Sequence, residues 1–336
     1  MKQTEVFFSK GEPSIFIVTS PFQVLCAYST IINLKITDYL IFVVYAEIDI
    51  RKEQVFSCLD YFQLKYRKIK LHDHVIIQEI FSYDFFFRNK QKAHYSRAFL
   101  GDFRDDIFKP IAFKYLKKNS AIIYLDDGNS SLIHFQELRS TPLKSRIYNM
   151  FFSLIAHFRS IYINKYYYTI YSDISTKMVT KKNNLNILIT KQNLINQNKS
   201  FFIGTSPDSY TRAMKLSHEE YLSYLETTLK KFKELSKNTE LYFIPHGRDK
   251  YIDEIKIMLK ELGFQLLKLN EIVEIYLTRK KITPVTVAGF MSTALYTIKQ
   301  LSPQTRAIGF MTKKIPQYEF IANYYKNHDI DIVYLK

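Results

Sequence analysis

The sequence predicts an α/β protein built as two doubly wound domains facing a central cleft, residues 1–196 and residues 197–336. Three observations predict it. Short β-rich apolar runs alternate with longer amphipathic stretches, the pattern of a parallel sheet covered by helices. That pattern restarts after about residue 200. The chain has only eight glycines, and four of them stand at or just past the ends of expected strands.

The first half reads strand, helix, strand, helix. Residues 15–19 (IFIVT) form a strand, and a helix opens at once over residues 21–33. A strand follows at residues 39–45, a helix at 51–65 and a strand at 75–80. A helical region is expected within 92–116, then a buried strand, AIIYL, at 121–125 that ends in Asp126-Asp127-Gly128. Residues 142–162 fit an amphipathic helix, suited to domain packing, to a homodimer contact or to a membrane surface. Residues 166–195 hold weak strand signals and a polar run, Lys181 to Asn184. The polar stretch NQNK at 196–199 marks the domain boundary.

The second half opens with a strand at 200–205. Ser217 and Glu220 have the spacing of a capping box. Leu222, Leu225, Leu229 and Phe232 then recur at three and four residues, one face of a helix. Strands are expected at 241–244, 264–267, 285–288, 307–310 and 330–334, with helices at 251–262 and from about Ser292. Two α/β domains on one chain place a ligand site in the cleft between them.

Composition removes several classes. Apolar residues make up 47% and charged residues 24%, a globular balance. No apolar run reaches the ~18 residues of a membrane span, and residues 1–13 lack the apolar core of a signal peptide, so a cytoplasmic location is expected. Two cysteines, Cys26 and Cys58, fit buried thiols and exclude a cysteine zinc site. The net charge is +16, from 48 basic and 32 acidic residues. This excess favours anionic partners: a nucleotide donor, an acidic glycan or an anionic membrane face. The basic residues fall in scattered pairs such as Lys117-Lys118 and Lys280-Lys281, unlike a nucleic-acid arm.

Glycines at strand ends mark where open α/β sheets bind ligands. Gly128, Gly204, Gly247 and Gly289 each have polar neighbours. Asp126-Asp127 can hold a general base, because one carboxylate raises the pKa of the other. The same pair also suits a turn, a helix cap or a metal. His246, between Pro245 and Gly247, can act as an acid toward a leaving phosphate, with Arg248 beside it. It also suits a hydrogen-bonded loop. Ser292 and Thr293 open a helix, where hydroxyls and free N–H groups hold phosphate or simply cap. Glu274 suits ribose hydroxyls or a solvated helix face. His72-Asp73-His74 reads as a polar turn rather than a metal pair.

Together these motifs resemble bacterial sialyltransferases of the GT-B type, which have two Rossmann-like domains. The order is Asp126-Asp127-Gly128, then Pro245-His246-Gly247, then Ser292-Thr293. Thr19-Ser20-Pro21-Phe22-Gln23 and Gly289-Phe290-Met291-Ser292-Thr293-Ala294-Leu295 are similar to glycosyltransferase family 52, the lipooligosaccharide and capsule sialyltransferase group. In that family the histidine is usually followed by proline; here Pro245 precedes it and Gly247 follows.

The resemblance implies an inverting transfer of sialic acid from CMP-sialic acid to a sugar hydroxyl of a cell-surface glycan. It implies that Ser292 and Thr293, with Gly247 and Gly289, hold the phosphate and Glu274 the ribose. His246 would serve the leaving phosphate, and Asp127, Asp126 or Asp208 would be the base. A stabilised phosphate leaving group does not oblige a metal, so no cofactor or metal is expected. A glycan acceptor at the inner face of the bacterial inner membrane would suit the basic surface. Other nucleotide-sugar or polyol-phosphate donors, a metal-dependent GT-A enzyme, and a non-catalytic basic glycan- or nucleic-acid-binding protein remain alternatives.

Overall fold

The computed structural model describes residues 7–45, 52–70, 94–103, 108–135, 150, 153–154, 157, 161–174, 179–185, 195–247, 249, 251–312 and 315–335. The chain divides into two compact units, Met1–Ile187 and Leu188–Lys336.

Unit 1 holds strands β1 (Ser14–Val18), β2 (Tyr39–Tyr45), β3 (Tyr66–Lys70), β4 (Tyr95–Leu100), β5 (Leu116–Tyr124), β6 (Tyr162–Thr169) and β7 (Val179–Lys182). They pair in parallel in the order β3-β2-β1-β4-β5-β6-β7. Helices α1 (Pro21–Asn33), α2 (Lys52–Tyr61), α3 (Phe108–Tyr115) and α4 (Asn129–Phe135) join them. The central strand β1 is buried along its whole length, as an all-parallel sheet with both faces covered requires. Helix α1 starts directly after β1 because Ser20 caps it, its Oγ accepting from Gln23 N at 3.3 Å, and Pro21 suits the first turn.

The region 92–116 holds the expected helix and, before it, a strand that was not expected. Tyr95–Leu100 is a strand, and the helix begins only at Phe108. Arg97 interrupts the apolar run there, yet its side chain is buried in the sheet. Its Nε donates to Ser14 Oγ at 2.8 Å, and its Nη1 donates to the carbonyls of Phe7 at 2.9 Å and Ser9 at 2.8 Å. Burial pulls the guanidinium down to about 10.

The expected helix at 51–65 is present as α2, and the strand Tyr66–Lys70 that follows it was not expected. The expected strand at 75–80, and His72-Asp73-His74, lie outside the described residues. Of the 142–162 stretch, Met150, Ser153, Leu154 and His157 are helical and exposed, and Tyr162 opens β6 instead. In the polar run, Asn183 is buried: its Nδ2 donates to Cys26 O at 3.0 Å and its Oδ1 accepts from Ser29 Oγ at 2.8 Å. Cys26 and Cys58 are both buried.

Unit 2 holds β8 (Ile195–Asn196), β9 (Lys199–Ile203), β10 (Glu240–Ile244), β11 (Gln265–Leu266), β12 (Ile282–Thr283), β13 (Thr286–Gly289), β14 (Arg306–Met311) and β15 (Ile330–Tyr334). The main sheet runs β11-β10-β9-β13-β14-β15, all parallel, and β12 pairs with β8 apart from it. Counted from β9, that is the doubly wound order in which the chain reverses direction between β9 and β13.

Its helices are α5 (Pro207–Met214), α6 (His218–Leu235), α7 (Ile252–Leu262), α8 (Val273–Lys280), α9 (Thr293–Leu301) and α10 (Pro316–Lys326). The capping box on α6 is complete: Ser217 Oγ accepts from Glu220 N at 3.1 Å, and Glu220 Oε2 accepts from Ser217 N at 2.7 Å. Leu225, Leu229 and Phe232 are buried from this helix, while Leu222 packs at the edge of the same core. Helices α5 and α10 were not expected from the sequence.

Candidate active site

In unit 2 three neighbouring strands, β10, β9 and β13, end side by side, and each opens into one of the expected loops. After β9 come Gly204-Thr205-Ser206-Pro207-Asp208, after β10 Pro245-His246-Gly247, and from the end of β13 Gly289-Phe290-Met291-Ser292-Thr293. The glycines are there for backbone approach. A Cβ on Gly289 would lie 2.7 Å from Ile203 O, and one on Gly204 would lie 3.1 Å from Ile244 O and 3.2 Å from His246 N. Gly204 N in turn donates to Ile244 O at 2.8 Å.

Ser292 is the N-cap of α9, its Oγ accepting from Ala294 N at 3.3 Å. Ser292 and Thr293 are both half-buried, and the carbonyl of Ser292 accepts from Tyr325 Oη at 2.9 Å. The start of a helix concentrates free N–H groups and the positive end of the helix dipole, so this loop is suited to an anion. His246 is half-buried in a turn closed by Asp249 N donating to His246 O at 2.8 Å. Gly247 lies in the same turn. Arg248 lies outside the described residues.

Glu274 corrects the solvated reading. It sits in the first turn of α8, is 3% exposed, and its Oε1 accepts from Thr297 Oγ1 on α9. Burial pushes its carboxyl up. Thr297 stands one turn after Thr293, so Glu274 braces the helix whose start carries Ser292.

Asp208 is exposed in the first turn of α5. Sequence reasoning missed its neighbour Asp249. The Oδ1 of Asp249 accepts from Tyr251 N at 3.0 Å, while its Oδ2 is buried with no partner among the described residues. Burial first, and the charge of Asp208 as well, push the Asp249 carboxyl up.

In unit 1 the acidic pair separates into two environments. Asp126 is fully buried: Oδ1 accepts from Thr169 Oγ1 at 2.8 Å and Oδ2 from Ile170 N at 2.6 Å. These bonds tie the end of β5 to the end of β6. Burial raises the Asp126 carboxyl to about 7 despite them. Asp127 is half-buried, and its Oδ1 accepts from Gln23 Nε2 at 2.9 Å. Its backbone N donates to Ser131 Oγ at 3.0 Å.

Gly101, at the end of β4, is a fifth glycine at a sheet edge. Sequence reasoning passed over it because no strand is expected at 95–100; the scarcity of glycine was the signal. After it, Phe103 stacks on His134 of α4 with ring centroids 3.8 Å apart.

Among the described residues no cluster of three or more His, Cys, Asp or Glu is arranged to hold a metal, and no helix is long and apolar enough to cross a membrane.

No protein-family model matches the sequence, and no curated protein matches it. Solved structures give distant likenesses. One is MurG of Acinetobacter baumannii, at 7% identity and a TM-score of 0.44, covering 96% of this chain and 85% of that one. Another is the E. coli heptosyltransferase WaaC with ADP-2-deoxy-2-fluoro heptose, at 12% identity and a TM-score of 0.41, covering 90% of each chain. WaaC with ADP gives 11% identity and a TM-score of 0.42, covering 96% of this chain and 91% of that one. Likenesses this distant are too weak to carry a function. The two doubly wound α/β units described above are the architecture expected from the sequence.

Proposed function

We propose that the chain is an inverting glycosyltransferase that takes its sugar from a nucleotide-sugar donor. One observation supports it above the others: the three motif loops of unit 2 leave adjacent parallel strands at the point where the strand order reverses. Open α/β sheets bind phosphate-bearing ligands at that point. The start of α9, with Ser292 and Thr293, offers N–H groups and hydroxyls to the phosphate. Gly247 and Gly289 lie in the neighbouring loops, and Glu274, the ribose candidate, is joined to α9 from the neighbouring helix through Thr297.

The finer reading is CMP-sialic acid as donor and a cell-surface glycan as acceptor. It rests on the order of the Asp-Asp-Gly, His and Ser-Thr motifs. In the reaction the acceptor hydroxyl oxygen attacks the anomeric carbon as the bond from that carbon to the phosphate oxygen breaks. His246 donates a proton or hydrogen bond to the departing phosphate. The acceptor proton passes to a carboxylate, and each proton transfer supplies ~10²–10⁴-fold. Asp127 suits this role better than Asp126, whose two oxygens are spent on Thr169 and Ile170 inside the protein. Asp208 in unit 2 is the other candidate.

The test is a thermal-shift and calorimetric screen of the full chain with CMP, CDP, UDP and GDP, with and without EDTA. A ligand at about one hundred times its Kd stabilises the fold by ~2.7 kcal/mol. Selective, EDTA-insensitive stabilisation by CMP is the expected result. Preference for another nucleotide keeps the transferase and removes sialic acid. Loss of the response with EDTA would favour a metal-dependent donor site. No response to any of them removes the nucleotide-sugar reading. His246→Ala is expected to lower turnover at least ~10²-fold while CMP affinity stays within about twofold.

A further inference from the structure

We propose that Gln23 is the positioning residue that fixes the orientation and proton affinity of the Asp127 carboxylate; this rests on the reading of Asp127 as the base. Gln23 is 1% exposed, and both ends of its amide are accounted for. Its Oε1 accepts from Thr19 N at 2.8 Å and from Thr19 Oγ1 at 3.2 Å. A backbone N–H can only donate, so it must face the amide oxygen. The amide nitrogen is thereby turned outward, where it donates to Asp127 Oδ1 at 2.9 Å.

A donor held in this way favours the ionised carboxylate. It also ties Asp127 Oδ1 to a donor held rigidly by α1. The arrangement is built from three strand ends. Ser20 and Pro21 after β1 set the first turn of α1 and so the place of Gln23. Gly101 after β4 leaves it room: a Cβ there would lie 2.3 Å from Gln23 Oε1. Asp127 after β5 receives it. A buried amide costs free energy unless both ends are bonded. Here both ends are bonded, and the donor end is spent on one half-buried carboxylate at the sheet edge.

Among the described residues, the titratable groups on the surrounding elements include Asp102 after β4, Tyr124 at the end of β5, Asp126, His134 on α4, Tyr167, Tyr168 and Tyr171 at the end of β6, and Cys26 and Tyr28 on α1. The loop from β1 to α1 contributes none between Thr19 and Gln23.

The experiment is a carboxyl ¹³C-NMR titration of the full chain carrying ¹³C-labelled aspartate, with the Asp127 signal assigned by Asp127→Asn. Gln23→Leu is expected to move the Asp127 midpoint upward by about one pH unit, and Gln23→Glu by more. Gly101→Ala displaces the Gln23 side chain without removing it, and is expected to move the midpoint in the same direction. It keeps the proposal testable if a Gln23 variant fails to fold. An unmoved midpoint in the folded variants overturns the proposal.

The pH dependence of kcat/KM separates this from the functional reading. If the acidic limb moves with the NMR midpoint, Gln23 positions the base. If the midpoint moves and the limb does not, the Gln23–Asp127 coupling stands, but Asp127 is not the base and the positioning role in catalysis falls.

Discussion

At the carboxyl edge of the first sheet, side chains do the organising; at that of the second sheet, backbone does. In unit 1 Gln23, Thr169 and Ile170 hold two adjacent aspartates in different states. One is sealed inside the protein and the other kept at the surface. In unit 2 Gly204 and Gly289 let main chains close up, and the start of α9 provides the polar groups. The first arrangement is suited to controlling a proton, the second to receiving a negative charge. One chain therefore uses the same doubly wound plan twice, with its two carboxyl edges built by different means.

Three experiments test that contrast. The largest expected effect is at Asp126. Its carboxyl ionises near 3.8 as a free side chain and near 7 in the folded protein. Between about pH 4 and pH 7 the folded chain keeps a proton that the unfolded chain releases. Stability therefore falls as pH rises through this window, by up to ~1.4 kcal/mol per pH unit from this group. Asp126→Asn has no proton to lose and should show a flatter profile in urea titrations at about pH 5 and about pH 7. Parallel profiles would mean that Asp126 is not held as described.

The next effect compares glycines. Gly289→Ala meets the Ile203 carbonyl, which cannot move without the strand, and should cost ~1–3 kcal/mol. Gly101→Ala meets the flexible end of Gln23 and should cost less. The reverse order in denaturant midpoints would break the distinction between a backbone-built and a side-chain-built edge.

The smallest effect is at Ser292. Ser292→Ala removes the cap of α9 and should cost ~1 kcal/mol of stability. It should also weaken nucleotide binding, measured by calorimetry. Unchanged nucleotide affinity would leave Ser292 as a cap alone.

Much of this architecture was legible in the sequence. Tyr39–Tyr45 and Ile330–Tyr334 are continuous β-rich runs, and Pro21–Asn33 begins with a cap and a proline. Such signals are local, so the chain displays them. The strand Tyr95–Leu100 was hidden because Arg97 reads as polar, and only folding supplies the carbonyls of Phe7 and Ser9 that allow its burial. Asn183 was hidden in a polar run for the same reason.

The candidate site was legible as loops and not as contacts. Gly204, Gly247 and Gly289 marked the edge of the second sheet. The sequence could not separate Asp126 from Asp127, since their difference depends on Thr169, Ile170 and Gln23, residues 43 or more and 104 positions away. Glu274 likewise looks solvent-facing on α8 until α9 is packed against it.

The buried guanidinium of Arg97 has a consequence for the beginning of the chain. Phe7, Ser9 and Glu12 serve it as ligands through their carbonyls, much as a peptide loop encloses a metal ion. The segment from Phe7 to Glu12 is therefore part of what holds the fold together. A protease that trims it away strips the coordination shell from a cation in the middle of the sheet, and the damage is felt at the fold's centre rather than at its end.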